Sequence, residues 1–361
     1  MSYAAAEPKT PVSVITGFLG SGKTTLLNAL LKHPGMAETA VLVNEFGEIG
    51  IDHLLFEALD DDVVLLAAGC LCCTIREDMI ASLRSLFERR ADGEVPEFRR
   101  VVIETTGLAD PAPILHTLLA GDSTSAPWAV DGILTTVDAV NGHGQLSAHP
   151  ESVKQAAVAD RLLVTKADLA EQTGLATLRE RLRAINPGAP ILTACHGAID
   201  PAELFDAGPL ASPGTGQPDV HRWVGAAAAE PGSHYHQDDS QDDSQDDSQD
   251  DGHGDIHEDG IRALSLSIEA PVEIYRFIRW VEQLLERNGD HVLRLKGILN
   301  VAGDPLPIVV HGVQHVFHPL SRLPAWPDAD RCSRLVLIVK DLDIDRIARE
   351  FQASVQRDPA S

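Results

Sequence analysis

Short runs of apolar, often β-branched residues recur through the first half of the chain. Between them lie stretches whose apolar residues fall three or four apart. The runs are Val12–Ile15, Val41–Val43, Val63–Leu66, Val101–Ile103, Ile133–Val137, Leu162–Val164 and Ile191–Leu192. Helical patterning falls near Thr24–Leu31, Arg76–Arg90, Pro111–Leu119, Val153–Ala157 and Gly174–Ile185. Continuous apolar strands are buried on both faces, and strands that alternate with helices pair in parallel. The pattern therefore predicts an α/β fold with a parallel sheet covered by helices. Ligands of such sheets sit beyond the carboxyl ends of the strands.

The pattern then changes. Ala207–Pro218 is rich in Gly, Pro and Ser and reads as a linker. From Ile261 the segment Ala263–Ile268 alternates apolar and polar residues like a half-buried strand. Val272–Leu285 carries apolar residues at 274, 277, 278, 281, 284 and 285 and reads as a helix. Val292–Leu299, Ile308–Val310 and Leu335–Val339 read as strands, and a last helix is expected at about Ile344–Ala353. These elements predict a small α+β domain. The expected division is a disordered N-terminus (1–10), a large domain (11–206), a linker with a disordered insert (207–260) and the small domain (261–356).

A length of 361 residues suits one large domain and a smaller one. The net charge of −25 argues against nucleic acid and anionic membrane surfaces as partners. Much of that charge is local: residues 230–260 hold twelve acidic residues and no Lys or Arg, leaving −13 for the remainder. Met1–Pro8 has neither a basic nor an apolar region of the kind that leads a secreted protein, and no apolar run approaches a membrane span. A cytoplasmic location with reduced cysteines is the expectation.

Gly17-Phe18-Leu19-Gly20-Ser21-Gly22-Lys23-Thr24 fits the phosphate-binding P-loop pattern and lies between a strand and a helix. That is where its mechanism needs it. Glycines let the backbone wrap a phosphate, and free N–H groups with the helix dipole hold the charge. Gly17, Gly20, Ser21, Gly22, Lys23, Thr24 and Thr25 are the expected nucleotide contacts. Lys23 is expected to reach the β- and γ-phosphates, and the Thr24 hydroxyl to ligate magnesium. After the fourth strand, Glu104-Thr105-Thr106-Gly107 has the acid-x-x-Gly spacing of the magnesium side of P-loop GTPases, with Glu104 where Asp is usual. Glu104 is the second expected magnesium residue, and the Gly107 amide is placed to sense the γ-phosphate. Residue 108 is Leu, so no water-orienting Gln follows Gly107 and slow intrinsic hydrolysis is expected.

After the sixth strand comes Thr165-Lys166-Ala167-Asp168. A carboxylate here can accept the ring N–H and the amino group of guanine together. Adenine lacks that donor pair, so Asp168 selects GTP. Thr165 stands where Asn is more usual and is expected to support the loop less strongly. Thr193-Ala194-Cys195-His196 is a weaker candidate for a contact on the base side, and Cys195 and Cys332 are read as structural.

The loop Asn44-Glu45-Phe46-Gly47-Glu48-Ile49-Gly50-Ile51-Asp52 is polar and glycine-containing and reads as a switch segment or an ordinary acidic loop. Gly69-Cys70-Leu71-Cys72-Cys73 places three thiols within four residues. Thiolates suit zinc or copper(I), and three so close need a further ligand, such as Glu48 or water. In the insert, Gln-Asp-Asp-Ser repeats are flanked by His234, His236, His253 and His257. The imidazoles suit zinc, cobalt or nickel, while the Asp repeats read as a solvated linker.

Taken together, GFLGSGKTT, NEFGEIGID, GCLCC, ETTGLADP and TKAD resemble the CobW-like GTPases of the SIMIBI class, relatives of the hydrogenase and urease nickel-maturation GTPases. Arg294-Leu295-Lys296-Gly297 resembles the C-terminal domain of the same family. The resemblance covers almost the whole chain apart from the insert. It implies a P-loop NTPase domain and a GTP-hydrolysing metallochaperone that hands a metal to a client protein of unknown identity. It makes Cys70, Cys72 and Cys73 the internal metal site, with zinc the expected metal and cobalt the alternative. Homodimerisation is left open. Two other readings compete: a P-loop kinase acting on a small molecule, and a metal buffer or sensor with a vestigial nucleotide site.

Overall fold

Strand β1 (Thr10–Gly17) runs through the middle of a seven-stranded sheet and carries the P-loop at its carboxyl end. The structure is a computed structural model, and it describes residues 9–44, 64–68, 75–120, 126–205, 260–317, 320–323, 325–327 and 329–355. The N-terminal part runs β1, α1 (Lys23–Leu31), β2 (Thr39–Asn44), β3 (Val64–Ala68), α2 (Ile75–Ala91), β4 (Arg100–Glu104), α3 (Pro111–Ala120) and β5 (Trp128–Asp138). It continues with α4 (Gly142–Ala148), α5 (Pro150–Val158), β6 (Arg161–Thr165), α6 (Gln172–Ile185), β7 (Ile191–Thr193) and α7 (Pro201–Leu204). The strand order is β3-β2-β4-β1-β5-β6-β7, and every pair is parallel.

Alternation along β1 explains the two layers of helices. Val12 and Val14 enter a core with Leu83, Leu86 and Phe87 of α2 and with Ile114 and Leu118 of α3. Ile15 enters the opposite core with Leu26, Leu27 and Leu30 of α1. Both faces of the sheet are thus dry, as the unbroken apolar runs require.

The C-terminal part runs β8 (Ile261–Ile268), α8 (Ile274–Asn288), β9 (Val292–Leu299), β10 (Ile308–Val313), β11 (Val316–Phe317), β12 (Ser321–Arg322), β13 (Ser333–Lys340) and α9 (Ile344–Val355). Its sheet is antiparallel, ordered β11-β10-β9-β13-β8, with β12 pairing β10. One face is covered by Phe277, Trp280, Val281 and Leu284 of α8 and by Ile347 and Phe351 of α9. The other face meets the N-terminal part. Ile261, Leu293, Val336 and Ile338 share a core with Val153 and Ala157 of α5 and Leu178, Leu182 and Ile185 of α6.

That second contact explains a run that looks amphipathic in sequence. All eight residues of β9 are buried, Arg294 and Lys296 included. Both cations converge on Asp160, just before β6: Arg294 Nη2 binds Asp160 Oδ1, and Lys296 Nζ lies 3.3 Å from the same oxygen. Asp160 Oδ2 also accepts the Ile133 N–H at 3.0 Å. Burial alone would raise the Asp160 carboxyl, but the facing charges of Arg294 and Lys296 hold it below its ordinary value. Burial pushes Lys296 down to about 8, against the pull of Asp160. Two cations thus face one carboxylate, and Arg294 Nε and Nη1 have no hydrogen-bond partner among the described residues.

Differences from the expected elements are local. β5 starts at Trp128, well before the apolar run at Ile133, because β1 pairs with Trp128–Val130, skips Asp131 at a register shift and resumes at Gly132, while Ser13 Oγ donates to the Asp131 carboxylate at 2.7 Å. β3 ends at Ala68 rather than Leu66. Helix α4 has no apolar periodicity to announce it; only Gly142 and Leu146 are buried.

Removing Asp160 strands two buried cations. Asp160→Ala is expected to cost about 3–5 kcal/mol in urea unfolding, the range for breaking one side of a buried ion pair. Lys296→Met is expected to be neutral or stabilising, since it leaves Asp160 and Arg294 one to one. Lys296 is depressed in the fold to about 8 from 10.5, so the unfolded chain holds its proton more tightly. Between those two values the wild type should gain stability with pH relative to Lys296→Met, and below them the difference should be flat.

Candidate nucleotide-binding site

Parallel strands put all their carboxyl ends at one edge, and the polar motifs meet there. Ile15 of β1 pairs with Glu104 of β4, and Thr16 and Gly17 pair with Thr135 and Thr136 of β5. Asp138 of β5 pairs with Thr165 of β6. A cleft of about 800 Å³ opens over this edge, lined by Gly20, Gly22, Lys23, Thr24, Thr25, Glu104, Gly107 and Lys166 among others.

The loop that closes the cleft needs its glycines. Gly22 has φ 90° and forms the left-handed cap of α1. A Cβ on Gly17 would lie 2.3 Å from Thr136 Oγ1. Lys23 is buried, and its Nζ donates to the Gly17 carbonyl at 2.9 Å and the Phe18 carbonyl at 3.3 Å. Ser21 turns inward: its Oγ lies 2.7 Å from Thr136 Oγ1 and does not line the cleft.

Across the cleft, Thr24 Oγ1 donates to Glu104 Oε1 at 2.8 Å, joining residues 80 positions apart. Glu104 is 5% exposed, so a buried carboxylate and a hydroxyl face one another. These hard oxygen donors fit magnesium. Thr106 Oγ1, also on the cleft wall, is buried with no hydrogen-bond partner among the described residues. Gly107 lies against the P-loop backbone. A Cβ there would come within 2.8 Å of Leu19 N and Cα.

The loop after β4 is held from two further sides. Gln155 of α5 donates to the carbonyls of Gly107 at 3.3 Å and Ala109 at 3.0 Å. Asp110 caps α3 through the Ala112 N–H at 3.0 Å, and Gln314, in the turn between β10 and β11, donates to its other oxygen at 3.4 Å.

On the base side, Thr165 Oγ1 donates to the Ser21 carbonyl at 2.7 Å. The threonine was expected to be a weak support, yet it ties β6 directly to the P-loop. Lys166 adopts the left-handed φ of 54°, and its Nζ donates to the Gly20 carbonyl and to Asp138 Oδ2, each at 2.7 Å. Asp168 follows in the turn Ala167–Leu169 and lies 3.4 Å from His196 Nε2. Thr165 and Asp168 do not line the cleft itself. Cys195 is exposed and Cys332 partly buried.

Glu48, Cys70, Cys72, Cys73, His234, His236, His253 and His257 lie outside the described residues. Among the described residues no group of three His, Cys, Asp or Glu could hold a metal ion, and no helix is long and apolar enough to cross a membrane.

The profile of the CobW/HypB/UreG nucleotide-binding domain matches residues 11–193. The chain belongs to this family. The cobalamin synthesis protein cobW C-terminal domain matches residues 261–355. Two relatives span nearly all of the chain. "Zinc chaperone YjiA" of Escherichia coli is 31% identical over 94% of this chain and 97% of its own. "Zinc chaperone CobW" of Pseudomonas aeruginosa is 30% identical over 96% of this chain and 92% of its own. Among solved structures, the Zn(II)-bound YjiA GTPase from E. coli superposes with a TM-score of 0.67 at 27% identity, covering 97% of this chain and all of that one. The CobW-like resemblance read from the motifs is thereby borne out, as is the α/β P-loop fold followed by an α+β domain.

Sequence reading passed over Asp138, Gln155 and Asp160. Asp138 was signalled as the first acid after a buried strand, the position that Glu104 and Asp168 made prominent elsewhere. Gln155 and Asp160 had no local signal, because their partners are distant in the chain.

Gly107→Ala tests the close approach to Leu19. The added methyl meets the Leu19 backbone at 2.8 Å as well as its side-chain Cδ2 at 2.6 Å, so moving the side chain alone does not relieve it, and a loss of about 1–3 kcal/mol on thermal unfolding is expected.

Proposed function

We propose that this protein is a GTP-dependent zinc metallochaperone that hands its metal to a metal-requiring client. The observation that carries the reading is the convergence of Thr24, Glu104 and Gly107 on the P-loop cleft, in a chain whose near full-length relatives are named zinc chaperones. On this reading residues 11–206 form the GTPase domain, 207–260 the linker with its insert, and 261–356 the C-terminal domain.

GTP lies with its phosphates in the P-loop from Gly17 to Thr25. Lys23 leaves the Gly17 and Phe18 carbonyls for the β- and γ-phosphates. Thr24 and Glu104 would hold magnesium, which when bound would supply positive charge against the phosphates. The Gly107 amide faces the γ-phosphate, and Asp168 reads guanine. Leu108, with no hydrogen-bonding side chain, leaves water unoriented, so hydrolysis is slow until a metal or partner arranges the site. Cys70, Cys72 and Cys73, with Glu48 as a further ligand, bind zinc as cargo. The nucleotide changes the loops around them and so the metal affinity.

If the two sites are coupled, each ligand changes the other's affinity by the same factor. A thousandfold loss of zinc affinity takes about 4 kcal/mol. Chelator competition should therefore give a zinc affinity that differs among the nucleotide-free, magnesium-GDP and non-hydrolysable GTP states, and that collapses in Cys72→Ser. Tight zinc that ignores nucleotide and survives Cys72→Ser would move the metal to the histidines of the insert and leave a buffer as the better reading.

Asp168→Asn tests the base. The carboxylate accepts two donors from guanine, whereas the amide offers a donor that suits the 2-oxo group of xanthine. GDP affinity should fall by about tenfold or more, the worth of a charge-assisted hydrogen bond. Affinity for xanthosine diphosphate should rise. Unchanged affinities for both would remove Asp168 from the base site.

A further inference from the structure

The carboxylate of Asp138 is 1% exposed at the end of β5, beside the cleft and not among its lining residues. Its four acceptor positions are all occupied. Oδ1 accepts the backbone N–H of Val140 at 2.8 Å and of Asn141 at 3.1 Å. Oδ2 accepts Asn141 Nδ2 at 3.0 Å and Lys166 Nζ at 2.7 Å. A carboxylate with no acceptor position left is neither a metal ligand nor a proton acceptor for substrate. What it does is hold Lys166.

Lys166 in turn spans the two halves of the site. Its Nζ also donates to the Gly20 carbonyl at 2.7 Å, in the loop that wraps phosphate. Its backbone opens the turn that carries Asp168, in a left-handed conformation at φ 54°. A non-glycine residue in that conformation is strained, so something outside the turn must hold it there. Three contacts do: Nζ to Asp138, Nζ to Gly20, and the Thr165 carbonyl to the Ala139 N–H at 2.9 Å, next to Asp138. Because the charge of Lys166 is matched by Asp138, the lysine acts as a strut between the two loops and not as a free cation for phosphate.

We propose that Asp138 is a specificity-determining positioning residue: through Lys166 it fixes the turn of Asp168 relative to the P-loop and so sets discrimination for the guanine base. This rests on the reading of Asp168 as the guanine contact. Burial would raise the Asp138 carboxyl, but the hydrogen bonds from Lys166, Asn141 and the Val140 N–H outweigh it and keep the group charged.

The test compares GDP with inosine diphosphate, which lacks the 2-amino group, by titration calorimetry with magnesium on the full chain. The wild type should prefer GDP by about tenfold or more, as expected for one charge-assisted hydrogen bond. Asp138→Asn and Lys166→Met should each bring that ratio below about threefold, and the double variant should be no lower than either single one, because the two act as one unit. A merely structural role would weaken both nucleotides alike and leave the ratio at its wild-type value. That result in both single variants overturns the proposal. If Asp138→Asn does not fold, Lys166→Met, which alters a half-exposed side chain, carries the test. A wild-type ratio near one overturns the Asp168 reading, and the proposal with it. A wild-type preference that persists in the variants overturns the proposal alone.

Discussion

Seven strands running in one direction are the constraint on which the rest of this molecule depends. A parallel sheet leaves the N–H and C=O groups at its carboxyl ends to be used by whatever loop follows each strand, and all those loops emerge along one edge. Residues 17–24, 104–107, 138 and 165–168 are far apart in the chain and adjacent in space for that reason alone. The apolar runs that specify burial on both faces therefore also specify where the polar chemistry collects.

Hydroxyls fasten that edge together. Thr105 donates to Thr16 at 2.8 Å, Ser21 meets Thr136, and Thr165 binds the Ser21 carbonyl. Each is a short side chain bonding at or just beyond the strand ends, where the ladder already fixes the backbone spacing. Small residues suffice because little distance has to be bridged, and small residues leave room for a ligand. The P-loop is thus held from below by threonines, from the side by Lys166, and against the next loop by a glycine that has no Cβ to keep Leu19 away.

The C-terminal sheet is joined to this assembly through the opposite, amino end of β6. Asp160 precedes β6, while Thr165 ends it, so the buried ion cluster and the base-side turn share one five-residue strand. Gln314 and Val313 meet the other flank, on Asp110 and in the core with Ala112 and Leu115 of α3. The C-terminal domain thereby contacts both the strand that leads to Asp168 and the helix that follows Gly107. An interface that holds two cations and one carboxylate in a dry setting tolerates little displacement, since any separation strands charge away from water.

The motif residues were legible because each is a local pattern with a local mechanism: a glycine-rich turn between strand and helix, an acid at a strand end three residues before a glycine, a carboxylate just after a strand. The strands were legible from apolar runs, and β8 from its alternation, with Leu264, Leu266 and Ile268 buried and Arg262 and Ser267 exposed. Helix α4 was not, because seven residues with one buried leucine carry no period. Arg294 and Lys296 read only as part of a strand and of the family resemblance, Asp138 carried a weak signal as the first acid after a buried run, and Asp160 suggested nothing. Sequence alone determined the order of elements, the phosphate-binding loop and the family, since those depend on neighbours in the chain. Only the tertiary structure decided which charges are buried and which lysine serves a carboxylate, because the energy of a charge is set by the groups and the water around it, and folding brings those groups from elsewhere.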